Sequence, residues 1–392
     1  MERRSSITDQ EKLWTRNFLL ICLSNLATFM GFQMLMPTLP VYVDFLGGKE
    51  SEIGLVIGFF TVSAVIIRPV AGKGVDTSGR KGIYLLGLLV FTLSCLLYNW
   101  TYTIALLLLV RFLHGFGWGT SSTAAGTVVA DVIPKQRLGE GMGYYGLAGT
   151  IAMAVAPAAG LYLINEFSFP VLFYASTGLA TLAFLLGSLI HYRKMPAARA
   201  ETKGALFEKC AFRPSLVIFF VTMSYGSVVS FLALYAGEKG IANIGVFFTV
   251  YAVTLALTRP VSGMLLDRKG YDVVVYPGMV AIAAAMLLLS RAEYLGMFLL
   301  AGVFYGIGFG SVQPSMQALT VRNVAFHRRG AANGTFFSAF DLGIAVGALL
   351  WGAVSQAVGY SQMYLWTTLP VLTALILYWV SGRVAGGERA AT

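Results

Sequence analysis

Between residues 17 and 381 the chain is a succession of long apolar runs, and that succession restricts it to one kind of solvent. Reading between charged or turn-rich breaks gives twelve: 17–43, 52–72, 82–100, 103–130, 140–163, 170–191, 214–236, 244–264, 273–290, 294–320, 331–356 and 361–381. Each lies close to the roughly 17 to 25 residues a helix needs to cross a hydrocarbon core. Inside lipid a segment must satisfy its own backbone N–H and C=O groups, so these runs are expected to be helical throughout. With 57% of 392 residues apolar and only 12% charged, a water-soluble globule is excluded, because a core of this size cannot hide so much apolar surface. The first run follows a polar, basic leader, "MERRSSITDQEKLWTR". It is too long for a signal-peptide core and lacks a small-x-small cleavage site, so it is expected to stay as the first helix.

Charge supplies the orientation. Of 28 Lys and Arg, 22 fall in the leader, the central linker, the tail and the loops after runs 2, 4, 8 and 10, while the opposite loops hold only Lys49, Lys239 and Arg291. An excess of this kind marks the cytoplasmic side, so both termini are expected there, in a multi-pass protein of the cell membrane. The net charge of +10 is then a topology signal. Scattered over short loops, it does not make a nucleic-acid surface. Cys22, Cys95 and Cys210, and His114, His191 and His327, are too dispersed for a disulfide or metal framework, and no cofactor is expected.

The linker "YRKMPAARAETKGALFEKCAFR", 192–213, is the one long polar interruption, and it divides the runs six and six. Two six-helix units are expected, 1–191 and 214–392. An offset of 191 residues supports this independently: "RPVAGKGVD" from Arg68 meets "RPVSGMLLD" from Arg259, and "HGFGWG" from His114 meets "YGIGFG" from Tyr305. A tandem duplication explains both matches.

Gly72-x-x-x-Asp76-x-x-Gly79-Arg80-Lys81 resembles the signature loop of the major facilitator superfamily, and Arg111-x-x-His114-Gly115-x-Gly117 resembles its helix 4 motif. Pro157-x-x-Gly160 is similar to the tail of the helix 5 motif of the antiporter branch, and "MPTLPVY" in the first run fits the drug/proton antiporter pattern. The resemblance implies an all-α membrane fold of twelve helices in two pseudo-symmetric six-helix bundles. It also implies a cytoplasmic latch: Asp76 set against the start of helix 11, Arg80 against Asp131, and Gly72, Gly79 and the second-copy Asp267 completing the gate. The second copy has Tyr271 and Asp272 where the first has Arg80 and Lys81, so only the first keeps the full charge set. A tight turn with solvated charges is the plainer alternative for this loop.

Three residues inside the runs carry chemistry. Asp341 lies about 16 Å into the eleventh run by helical rise, deeper than any other carboxylate. Ionised there it is costly, so a proton-coupling role is expected, with a hydrogen-bonded packing Asp as the alternative. Arg111 lies about 12 Å from the outer end of its run. The resemblance makes it the membrane arginine that senses protonation or substrate, and snorkelling to the outer surface is the alternative. His114 shares its face and could titrate near neutral pH, or simply pack. Arg68 and Arg259, each before Pro, read as interfacial or interhelix anchors. Gln33, Trp118, Tyr145, Tyr225, Tyr305, Gln313 and Phe337 are candidates to line a midplane cavity, or else to pack between helices; Met30, Met34 and Met36 suit an apolar pocket or simple packing.

The reading these features favour is a proton-coupled exporter of small amphipathic molecules, working by alternating access, monomeric, with the proton gradient as its energy source. Export of a specific zwitterionic or anionic metabolite, or of a metal-chelating compound, is the alternative. An enzyme would need a catalytic cluster, and a sensor a soluble output domain; neither is written in the chain.

Overall fold

The computed structural model describes residues 12–48, 50–193, 205–241, 243–322 and 324–390. Most of the leader, Lys49, and the middle of the 192–213 linker lie outside the described residues. Among the described residues the long elements are all helices. The first six are α1 (Arg16–Phe45), α2 (Glu50–Thr77), α3 (Arg80–Leu97), α4 (Ile104–Val132), α5 (Leu138–Glu166) and α6 (Phe169–Ser188). They are followed by α7 (Lys209–Glu238), α8 (Gly245–Lys269), α9 (Asp272–Ser290), α10 (Leu295–Arg322), α11 (Arg329–Trp366) and α12 (Thr368–Ala390). Local chemistry marks several starts: the Thr15 hydroxyl accepts from Phe18 N–H, the Thr103 hydroxyl accepts from Leu106 N–H, and a proline opens α6.

Among the described residues eleven continuous stretches are long and apolar enough to cross a membrane, the last being 55 residues, Phe326–Val380, which takes in both α11 and α12. At helical rise 55 residues would reach about 83 Å, against a core of about 30 Å. The stretch is interrupted at Gly359, with φ 80 and ψ 166, a conformation essentially confined to glycine. Divided there it makes two spans, which brings the total to the twelve apolar runs.

The chain forms two compact units, which part at Glu208 and Lys209, inside the 192–213 linker, apart from two short exchanged segments. The first contains Met1–Leu138, Tyr144–Glu208 and Val324–Thr335; the second contains Gly139–Gly143, Lys209–Asn323 and Phe336–Thr392. Each unit therefore includes a short piece from the other sequence repeat. In the first, α4 packs along α2 and α3, while α6 packs on α1 and α3. The second repeats that plan, with α10 along α8 and α9, and α12 on α7 and α9.

Candidate functional site

The repeated loop builds the same device twice. In the first unit Asp76, at the end of α2, accepts from the N–H groups of Gly330 and Ala331 at 2.8 and 2.7 Å. In the second, Asp267 accepts from Gly139 and Glu140, both at 2.8 Å. These are first-turn donors of α11 and α5, which have no partner within their own helices, and a carboxylate is favoured there by charge as well as by hydrogen bonding. Residues 139 and 330 are again 191 apart. Close backbone approach makes this reach possible: a Cβ on Gly72 would stand 2.5 Å from the Gly330 carbonyl oxygen, and one on Gly263 2.4 Å from that of Gly139. Gly79 (φ 96, ψ 155) and Gly270 (φ 89, ψ 175) then turn the chain into α3 and α9 in matching conformations.

Beyond the carboxylates the two copies differ. Arg80 is buried, and its guanidinium donates to Asp131 at 2.9 Å and to the carbonyls of Val75 and Phe326, 3.6 Å from Asp76. Its face lies over the Phe326 ring at 4.3 Å. Arg329 donates to the other Asp131 oxygen at 2.8 Å, so one acid holds two bases. At the equivalent positions of the second copy, Arg322 stands over the Tyr271 ring at 5.1 Å. An ion-paired cluster has been exchanged for a cation–π pair. The repeat offset was a signal for Arg322, since it maps Asp131 onto that position; nothing in the sequence singled out Arg329 or Phe326.

Arg111 is 1% exposed, so its guanidinium does not snorkel. It donates to the Val56 carbonyl at 3.2 Å, reaches the Tyr98 hydroxyl at 3.5 Å and faces the Phe60 ring at 4.4 Å. The Tyr98 hydroxyl is 2.9 Å from His114 Nδ1. Arg111, Tyr98 and His114 thus form one buried polar chain, walled by Phe60, Phe91, Phe32 and Trp118. Tyr98 escaped sequence reading because it lies in a short 3-10 turn after α3, where an aromatic carries no spacing signal. Repeat positions show how local this is: Arg111 maps onto Gly302 and His114 onto Tyr305.

Arg68 and Arg259, which the sequence reads as interfacial or interhelix anchors, are both buried. They are 2% and 8% exposed, and lie about 14 and 15 Å from the ends of α2 and α8 by helical rise. Arg68 donates to Ser122 at 2.9 Å and Arg259 to Gln313 at 3.0 Å, which are repeat-equivalent partners. Both are interhelix anchors.

The cavity candidates separate into two groups. Tyr305 is fully buried against Ser224, Tyr145 donates to Asn25 at 3.1 Å, Trp118 stacks on Phe32, and Gln313 links Arg259 to Gln317. Gln33, Tyr225 and Phe337 are half-buried, with Tyr225 stacked on Phe309. Asp341 is also half-buried, about 18 Å into α11, in the second unit, whereas Arg111 and His114 belong to the first. Pro157 lies within α5, and Gly160 lets that helix meet α1, where a Cβ would stand 2.4 Å from the Met34 carbonyl oxygen.

The family model described as Major Facilitator Superfamily matches residues 21–242 and 214–391. The chain is 24% identical to the staphylopine export protein of Staphylococcus aureus, over 92% of this chain and 94% of that one. It is 25% identical to the multidrug resistance protein MdtG of Escherichia fergusonii, over 96% and 97%. Its fold matches the crystal structure of the human organic anion transporter MFSD10 with a TM-score of 0.81 at 18% identity, covering 92% of this chain and 98% of that one.

Proposed function

The chain belongs to the Major Facilitator Superfamily, and from that premise we propose that it is a proton-coupled exporter of small amphipathic molecules working by alternating access. The observation that carries this reading is the pair of carboxylate brackets, Asp76 on α11 and Asp267 on α5. Each closes on backbone donors without a covalent tie, and each is bounded by a glycine close approach, as a contact that forms and parts repeatedly requires. In this reading both brackets lie on the cytoplasmic side with the two termini, in the cell membrane, and the transporter works as a monomer. Asp341 binds and releases the proton, and the Arg111–Tyr98–His114 chain responds to occupancy. Half-buried Gln33, Tyr225 and Phe337 meet the substrate. The likeness to MdtG supports broad drug export.

A second reading, export of one zwitterionic or anionic metabolite or a metal-chelating compound, is supported by the likeness to the staphylopine exporter. Proteoliposomes carrying an internal pH dye, offered cationic dyes and then a panel of zwitterions, separate the two. Substrate-dependent proton flux that disappears in Asp341→Asn is expected. Transport of a verified substrate without proton movement would sink the coupling, and proton flux with zwitterions alone would select the second reading.

A further inference from the structure

The second unit carries a groove of about 410 Å³ between α8, α9 and α10 that transport leaves unexplained. Its α8 wall is Thr254, Leu257, Thr258, Val261, Ser262 and Leu265, a helical stripe at spacings of three and four. Leu257 and Val261 are 70% and 60% exposed. They lie about 120° and 160° around the helix from Gly263, the residue that meets Gly139, so the groove opens away from that face of α8. In a chain of membrane-spanning helices, an apolar face open in this way meets lipid.

Two features name the occupant. From Thr254 to Leu265 the groove runs about 16 Å, close to half of the roughly 30 Å hydrocarbon core, which is the depth of one leaflet. Continued one turn further, the same stripe reaches Arg268 and Lys269, both exposed at the end of α8. The neighbouring acids are engaged elsewhere, Asp267 with Gly139 and Glu140, and Asp272 with the Tyr378 hydroxyl. The first repeat differs in sequence at both features. Where the groove has Thr258, Pro277 and Ile307, it has the bulkier Ile67, Leu86 and Phe116; where the groove ends in Arg268 and Lys269, it has Thr77 and Ser78. We propose that this groove binds one anionic phospholipid from the leaflet at the Arg268 end, an acyl chain along α8 and the headgroup phosphate at Arg268 and Lys269.

Native mass spectrometry of the full-length protein in detergent, titrated with phosphatidylglycerol or phosphatidylcholine of identical acyl chains, tests it. One saturable phosphatidylglycerol site is expected, with R268Q/K269Q weakening it by about fivefold per charge removed and leaving phosphatidylcholine binding unchanged. T258I/I307F, which installs the first repeat's isoleucine and phenylalanine, is expected to reduce occupancy by both lipids. Its folding is checked by thermal unfolding, and the surface charge pair decides the matter if it fails to fold. Equal affinity for the two lipids, unsaturable binding, or an R268Q/K269Q protein that keeps the phosphatidylglycerol preference would each overturn the proposal.

Discussion

Asp131 and Asp267 show how differently two carboxylates at the same end of the chain's helices can be held. Asp131 is buried between Arg80 and Arg329, and removing its charge strands two guanidinium groups together. Asp131→Asn is expected to destabilise by about 3–5 kcal/mol, the range for breaking a buried pair on one side. Asp267→Asn, which loses the charge and one of the two oxygens that accept from helix-start donors, should cost less, about 1–3 kcal/mol. Thermal unfolding of the two variants in detergent gives the order, and a larger loss for Asp267→Asn would contradict the assignment. Tyr271 gives a pH test outside the spans. Burial raises its phenol from the ordinary 10.0 to about 12, so the folded state holds that proton more tightly. The associated stability is fully present below pH 10 and is lost as pH rises towards 12. Tyr271→Phe is expected to remove that alkaline fall, measured as the difference in unfolding midpoint across the range.

At the scale of elements, the apolar runs were legible because lipid leaves a crossing segment no backbone choice but helix. The break between the last two was legible only as a gap around residues 357–360, and the backbone places it at one glycine. Gly359→Ala forces an alanine to φ 80, at a cost of about 1–3 kcal/mol. Gly58→Ala, in a helical position with nothing within 4 Å of the new methyl, should instead stabilise by about 0.5–1 kcal/mol. Opposite signs in the unfolding midpoints are the check. The candidate site was less legible than the helices, for a physical reason. Motif residues such as Asp76 and Arg80 are marked by charge in an apolar chain, but their partners are backbone N–H groups and carbonyls, which any sequence possesses. Tyr98 and Phe326 are ordinary aromatics until the fold brings them to Arg111 and Arg80.

For the whole molecule, twelve spans and eleven make opposite statements about the termini. With the stretch Phe326–Val380 divided at Gly359, reporters active only in the cytoplasm should respond alike when fused to the N-terminus or the C-terminus; opposite responses would mean that the stretch crosses once. The brackets carry a consequence for origin. In the first repeat Asp76 meets residues 330 and 331, and in the second Asp267 meets 139 and 140; subtracting the 191-residue offset makes these one contact seen from both sides. That reciprocity is what a duplicated segment leaves when both copies keep the same contact. Two copies in one chain are free to differ, and the exchange of the Arg80–Asp131 pair for Tyr271–Arg322 is such a difference.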